Sequence, residues 1–167
     1  MNEPLYQSVN EQCCCFNLRK ITRAMTQFYD RYLEGADIRA TQFTLLVELA
    51  NSSGKTLTEM AEGLVMDRTT LTRNLKPLSK AGLIVTVPLS DKRSKGYTLT
   101  EKGREVLAKG LPLWRTAQQH IVGQLGQDRY HRILGELVAM RNLAQAPRDN
   151  ASTAPTHHTI SGHHHNP

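Results

Sequence analysis

The sequence predicts a mainly α-helical protein with a small β-hairpin, and three adjoining stretches carry that expectation. The first, LTEMAEGL, sets Leu57, Met60, Ala61 and Leu64 at helical spacing. The second, DRTTLTRNLKPLSKAG, reads as a tighter helix that Asp67 is placed to cap and Gly82 to close. The third is a two-stranded ribbon, LIVTVPL and YTLT, joined by the charged turn SDKRSKG.

On the second helix Leu71, Leu75 and Leu78 fall within roughly 60° of one another at about 100° per residue, which makes them the buried stripe. The same wheel turns Thr69, Arg73, Lys76 and Lys80 to the opposite side, without one carboxylate. A solvated helix face usually mixes both signs, so this one suits an anion.

Taken in order, residues 1–11 are polar and are expected to be flexible. From Gln12 to about Leu33, Cys14, Leu18, Ile21, Met25, Phe28 and Tyr32 are spaced 4, 3, 4, 3, 4, a heptad seam. Such a seam fits packing against a helix of a second chain, and it equally fits an ordinary amphipathic core helix. EGADIRA is a turn, and TQFTLLVELA then places Phe43, Leu46, Val47 and Ala50 on one face before NSSGK ends it. In the first strand Leu83, Val85, Val87 and Leu89 alternate. Thr100 is positioned to cap a helix that begins EKGREVL and runs to about Leu125, with Leu107, Leu111, Trp114, Ala117 and Ile121 as its apolar stripe and Pro112 bending it. A last helix spans roughly Asp128 to Ala144, its face made by Tyr130, Ile133, Leu134, Leu137 and Met140. Residues 146–167 are rich in Pro, Ser, Thr, Asn and His and read as a disordered tail.

A chain of 167 residues can bury a real core, and its formal net charge is +6. Between Asp67 and Lys102 eight basic residues face three acids, so this window alone carries +5, the footprint of phosphate binding. No run of apolar residues is long enough to span a membrane, and no basic-then-apolar segment opens the chain, so neither a span nor a signal peptide is expected. Cys13, Cys14 and Cys15 are adjacent and cannot build a disulfide framework within one domain, which fits a cytoplasmic protein. There is no phosphate loop, G-x-S-x-G or H-E-x-x-H, and His120 and His131 are expected to stand alone on helix surfaces. No enzyme, catalytic residue or cofactor is expected. Five tail histidines, His157, His158, His163, His164 and His165, could bind Zn²⁺ or Ni²⁺ or form only a solvated tail; no metal site is assigned to them.

Helix, turn, helix and hairpin in this order make a winged helix-turn-helix (residues 36–100), with residues 12–35 and 101–145 as a helical dimerisation region. An α-helix fits the major groove of B-DNA, its N-terminal residues reaching base edges. Arg68, Thr69, Thr70, Thr72 and Arg73 are the candidates for that contact, and Lys76 and Lys80 for phosphates. The hairpin tip brings Lys92, Arg93 and Lys95 toward the backbone and the adjacent minor groove. The rival reading is a winged-helix protein-interaction module, which has no need of an acid-free face and a basic wing.

The chain resembles the MarR family of bacterial transcription regulators through LTEMAEGLVMDRTTLTRNLKPLSKAGLI, the wing with Asp91, Arg93 and Gly96, and YTLTEKG. The likeness covers about residues 10–145. It implies a homodimer that presents two winged modules to a pseudo-palindromic operator in double-stranded DNA, with Arg93 in the minor groove and Asp91 holding it in place. It also implies a repressor released by an oxidant or by a small aromatic effector in the crevice between the dimerisation helices and the winged module. Pro77 inside the recognition helix departs from the pattern. EQCCCF also looks like the peroxide-sensing branch, where a cysteine followed by Phe stands at this place: Cys15 and Phe16 match it, and Tyr29 matches a tyrosine that partners the thiolate. A second tyrosine of that branch is replaced by Ala40. Fourteen residues separate Cys15 from Tyr29, roughly 21 Å along one helix, so the two could meet only across a dimer. The positive end of a helix favours a thiolate, so the cysteines could sense oxidants; they could instead pack at an interface or capture a metal or arsenical.

Overall fold

The computed structural model describes residues 10–51, 55–89 and 95–146. Asp91, Lys92 and Arg93 of the hairpin tip, the first nine residues and the tail histidines lie outside the described residues. The order of elements is α1 (Cys14–Leu33), a 3-10 turn (Glu34–Ala36), α2 (Ala40–Asn51), α3 (Leu57–Gly63), α4 (Arg68–Lys80), β1 (Ile84–Pro88), β2 (Lys95–Leu99), α5 (Glu101–Leu125) and α6 (Gln127–Gln145). The described residues fall into two compact units, divided between Gln124 and Leu125.

The core of the first unit gathers Leu33, Phe43, Leu46, Met60, Leu71, Leu75, Leu78, Ile84, Leu99 and Leu107. It sits where α2, α3, α4 and the hairpin meet. On α2 the buried side chains are Phe43, Leu45, Leu46 and Leu49, whereas Ala50 is exposed, so the expected face is rotated toward the two larger leucines. The strands pair antiparallel with Ile84 opposite Leu99 and Pro88 opposite Lys95, and Thr56 bridges to Gly96 beside them. The expected alternation in β1 fails: Leu83 and Ile84 are both buried and Val85 is 47% exposed. The buried Leu83 belongs to the turn that closes α4, which sets the register of the strand after it.

Two helix ends in this region use the same closure. After α4 the amide of Gly82 donates to Ser79 O (3.0 Å) and that of Leu83 to Leu78 O (3.0 Å), with Gly82 at φ +72°. After α3 the amide of Val65 donates to Glu62 O (3.1 Å) and that of Met66 to Ala61 O (2.8 Å), with Val65 at φ +54°. Glycine adopts this left-handed backbone freely, but a β-branched residue there is strained. Thr56 opens α3 with a reciprocal capping box: Glu59 N donates to Thr56 Oγ1 (3.2 Å) while Thr56 N donates to Glu59 Oε2 (2.7 Å).

Thr100 caps α5 as expected, its Oγ1 accepting from Gly103 N at 3.0 Å. The stripe of α5 is narrower than the sequence suggests. Gly103, Leu107, Gly110 and Ala117 are buried, while Leu111 and Trp114 are 42% and 37% exposed. Small residues hold this face because neighbours approach it closely: a Cβ at Gly103 would stand 2.0 Å from Leu83 O.

Along α1 only Leu33 is buried, and Ile21 in the heptad seam is 58% exposed. Asp30 ties α1 to α2 by accepting from the Ala40 amide (2.7 Å). His120 does not stand alone, because Tyr32 Oη lies 3.1 Å from its Nδ1 and the Phe28 ring packs beside it. His131 likewise has Gln127 and the Tyr130 ring as neighbours. In the second unit α6 has no buried residue; Ile133, Leu134, Leu137, Val138, Met140 and Leu143 are all exposed. Among the described residues no helix is long and apolar enough to cross a membrane.

The strained turn at Val65 yields a stability prediction. Because a non-glycine residue in this conformation costs roughly 1–2 kcal/mol, Val65→Gly should raise the urea midpoint at fixed protein concentration. The larger freedom of glycine in the unfolded chain offsets about half of the gain. An unchanged or lowered midpoint would mean that the turn carries no strain.

Candidate nucleic-acid interface

The recognition helix α4 shows how one short sequence meets two demands. Leu71, Leu75 and Leu78 are at most 1% exposed, so one face is fully committed to the core. Arg68, Thr69, Thr72, Arg73, Lys76 and Lys80 are exposed on the other. Pro77 stands inside the helix without terminating it, and the last turn runs on to Lys80.

Asp67 organises the start of α4. Thr70 donates its hydroxyl to Asp67 Oδ2 (2.6 Å) and its amide to Oδ1 (2.8 Å), and these two bonds hold the Asp67 carboxyl below its ordinary value of 3.8. Asp67, the carboxylate at the start of this basic surface, is therefore turned onto the helix end. Thr70, a candidate for base contact in the sequence, has its hydroxyl engaged in that cap. Thr72 donates its hydroxyl to Arg68 O (2.7 Å).

Facing α4, the hairpin completes a groove of about 1100 Å³. Arg68, Thr69, Thr72, Arg73, Lys76 and Lys80 line it from the helix, and among the described residues no Asp or Glu does. Ser79, Thr86 and Tyr97 also line it and were not singled out in the sequence. Thr86 and Tyr97 sit opposite each other in the strand register, and the polar Thr86 inside an apolar strand was the signal available for them. Lys95 is exposed at the start of β2, and Asp91, Lys92 and Arg93 lie outside the described residues.

The cysteines lie at the N-terminal end of α1. Cys13 is the N-cap residue of α1 and makes no side-chain capping bond, while Cys14 and Cys15 are exposed. Asn17 fastens the backbone before them, its side-chain amide donating to Cys13 O at 3.0 Å and Glu11 O at 3.2 Å. Tyr29 lies on the same helix as Cys15 and donates its hydroxyl to Gln118 Oε1 of α5. Among the described residues no group of three or more His, Cys, Asp or Glu is placed to hold a metal ion.

A helix-turn-helix with a flanking hairpin, and a groove between them that is free of acids among the described residues, defines a winged-helix transcription regulator. Comparison with known proteins agrees. The MarR family model matches residues 38–95. The transcriptional regulator MosR of M. tuberculosis, solved in complex with DNA, is 34% identical, with 81% of this chain and 100% of that one aligned at a TM-score of 0.70. The MepR–DNA complex of S. aureus is 25% identical over 81% of this chain and 99% of that one, again at a TM-score of 0.70. An HTH-type transcriptional regulator of Bacillus cereus (strain ZK / E33L) is 27% identical over 121 residues, 72% of this chain and 81% of the relative. The chain belongs to the MarR family, a family of transcription regulators rather than enzymes.

The cap at Asp67 gives the site a pH signature. A carboxyl whose folded value is depressed contributes stability above its unfolded value and loses that contribution as pH falls through the folded value. Asp67→Ala should therefore lower the urea midpoint at neutral pH. Its difference from the parent should shrink once pH drops below the ordinary aspartate range. A difference that stays constant down to acid pH would show that the carboxylate bonds to Thr70 are not what stabilises the helix start.

Proposed function

We propose that this protein is a cytoplasmic repressor that binds a pseudo-palindromic operator in double-stranded DNA as a homodimer and leaves it when an oxidant or a small ligand acts. The observation that carries this reading is the groove between α4 and the hairpin, lined among the described residues by four cations and no acid. Its size and sign suit a phosphate backbone, and the exposed start of α4 suits base edges. In this reading Arg68, Thr69, Thr72 and Arg73 read sequence, Thr70 caps, and Lys76, Lys80 and Lys95 neutralise phosphates. The hairpin tip, Lys92 and Arg93 with Asp91, extends the contact toward the minor groove. MosR and MepR, both solved with DNA, support the same use of the fold.

Two exposed apolar faces support a homodimer. The α1 seam stays open at Ile21 and Phe16, and α6 leaves its whole apolar side uncovered. Patches of this kind on a single chain mark protein–protein surfaces.

The test is fluorescence anisotropy with duplex from the region upstream of the protein's own gene. Log K should fall linearly with log salt, and Lys76→Ala should lower that slope by about 1. Arg73→Ala should relax base preference by about 1–3 kcal/mol at one operator position. No duplex bound even at low salt would sink the DNA reading and favour a docking module.

Release by oxidant can be tested in the same assay. The exposure of Cys14 and Cys15 makes both accessible to an organic hydroperoxide, which takes a thiolate to the sulfenic acid. Operator affinity should drop after a stoichiometric dose and persist in Cys15→Ser. Equal loss in both proteins, or in neither, would remove Cys15 as the sensor.

A further inference from the structure

The groove beside α4 has two unlike walls. Its helical wall carries Arg68, Arg73, Lys76 and Lys80, whereas among the described residues the hairpin contributes Thr86 and Tyr97, both uncharged. Thr86 and Tyr97 are direct partners in the antiparallel register, on one face of the ribbon with the pairs Ile84–Leu99 and Pro88–Lys95. Along that face burial falls away in steps. Ile84 and Leu99 are buried in the core, Tyr97 is half-buried, and Lys95 is exposed. The hydroxyl pair lies midway between the core and the exposed end of the ribbon.

This wall is held in place. Thr56 bridges to Gly96, and a Cβ at Gly96 would stand 3.1 Å from Lys55 O and 2.8 Å from Leu89 Cδ2. Strand β2 is therefore pinned between β1 and the start of α3, with Tyr97 the next residue along it. The hydroxyls of the wall are also unspent. Tyr29 and Tyr32 pair theirs with Gln118 and His120, and Thr70 and Thr72 donate theirs to Asp67 and to Arg68 O. Among the described residues the hydroxyls of Ser79, Thr86 and Tyr97 have no such partner, and all three line the groove.

A helix in the major groove and a ribbon at the adjacent minor groove must straddle the sugar–phosphate strand that separates the two. Resting on the reading of this groove as a DNA site, we infer that Ser79, Thr86 and Tyr97 seat that strand, their hydroxyls donating to its phosphate oxygens. The hydroxyls position the strand, and the cations of α4 neutralise it. The two kinds of contact leave different signatures. A cation that meets a phosphate releases a counterion and steepens the salt dependence, whereas a hydroxyl adds a bond without displacing an ion. A phosphate also carries no sequence, so such contacts strengthen binding to any duplex alike.

The test is fluorescence anisotropy of the full chain on two duplexes of equal length across a salt series. One comes from the region upstream of its own gene, and the other has the same bases scrambled. Tyr97→Phe and Thr86→Val each remove one hydroxyl and keep the shape that packs. Each should weaken both duplexes about three- to tenfold, with thermal unfolding unchanged. Their plots of log K against log salt should stay parallel to the parent's, unlike that of Lys76→Ala. Should either variant fail to fold, Ser79→Ala on the exposed side of α4 gives the same readout. Variants that bind both duplexes as tightly as the parent overturn the hydroxyl seat and leave the DNA reading standing. Loss confined to the upstream duplex overturns the phosphate assignment in favour of a base contact. A shallower salt slope, or a melting temperature that falls in step with affinity, overturns direct neutral contact. A parent that binds neither duplex even at low salt removes the DNA reading itself, and the seat with it.

Discussion

The winged module hangs on the backbone of a single residue, Leu83. Its amide donates to Leu78 O and ends the recognition helix, while its carbonyl accepts from Thr100 N and closes the far side of the hairpin, each at 3.0 Å. Thr100 adds a hydroxyl bond to Gly82 O at 2.7 Å, and Lys102 reaches Ala81 O at 2.9 Å. Helix α5 can begin here because Gly103 lays its bare backbone against the Leu83 carbonyl, with no room for a Cβ. Recognition helix, wing and long helix are thereby tied at one point, by the main-chain bonds of Leu83 and by side-chain bonds from Thr100 and Lys102. None of these bonds uses a side chain of the basic face of α4, so that face is not committed to holding the module together.

Magnitudes support that division of labour. Fully burying a leucine contributes about 1.5–3 kcal/mol, so Leu71, Leu75 and Leu78 are enough to hold α4 in place. Exposed ion pairs contribute roughly 0–1 kcal/mol, and the described pairs, such as Lys55 with Glu48 and Arg104 with Glu101, lie away from the exposed face of α4. The cations of α4 are therefore not explained by stability. Among the described residues they stand along a groove without a carboxylate, a charge pattern that suits an anionic partner.

Most of the module was legible in the sequence because its signals are local. The leucine stripe, the Asp67 cap, the Gly82 closure and the Thr100 cap each depend on residues within a few positions of one another. The T-x-x-E capping box of Thr56 and Glu59 was equally available in the sequence. What could not be read depends on distant partners. Leu45 and Leu49 displace Ala50 from the α2 face because the core surrounds more than one stripe. Leu111 and Trp114 follow the helical period of a core face, yet they border a cavity that exists only once α1 and α2 are in place. Val65 has nothing in its sequence neighbourhood to announce a left-handed backbone, which is imposed by the sharp approach of α3 to α4. Of the candidate contact residues, the helix set was found by its wheel, while Ser79, Thr86 and Tyr97 required the hairpin to fold back over α4.

Helix α2 belongs both to the wall of the apolar cavity beside α5 and to the core, and this has a mechanical consequence. Phe43 and Val47 face the cavity, and Leu46 and Leu49, on the same two turns, enter the core against which α4 packs. A rigid helix cannot move one side without moving the other, and a core at close-packed density does not absorb displacements gradually. Phe43 packs over Gly110, where a Cβ would stand 3.0 Å from its ring. One face of α2 thus borders the apolar cavity while another lies in the core beneath α4.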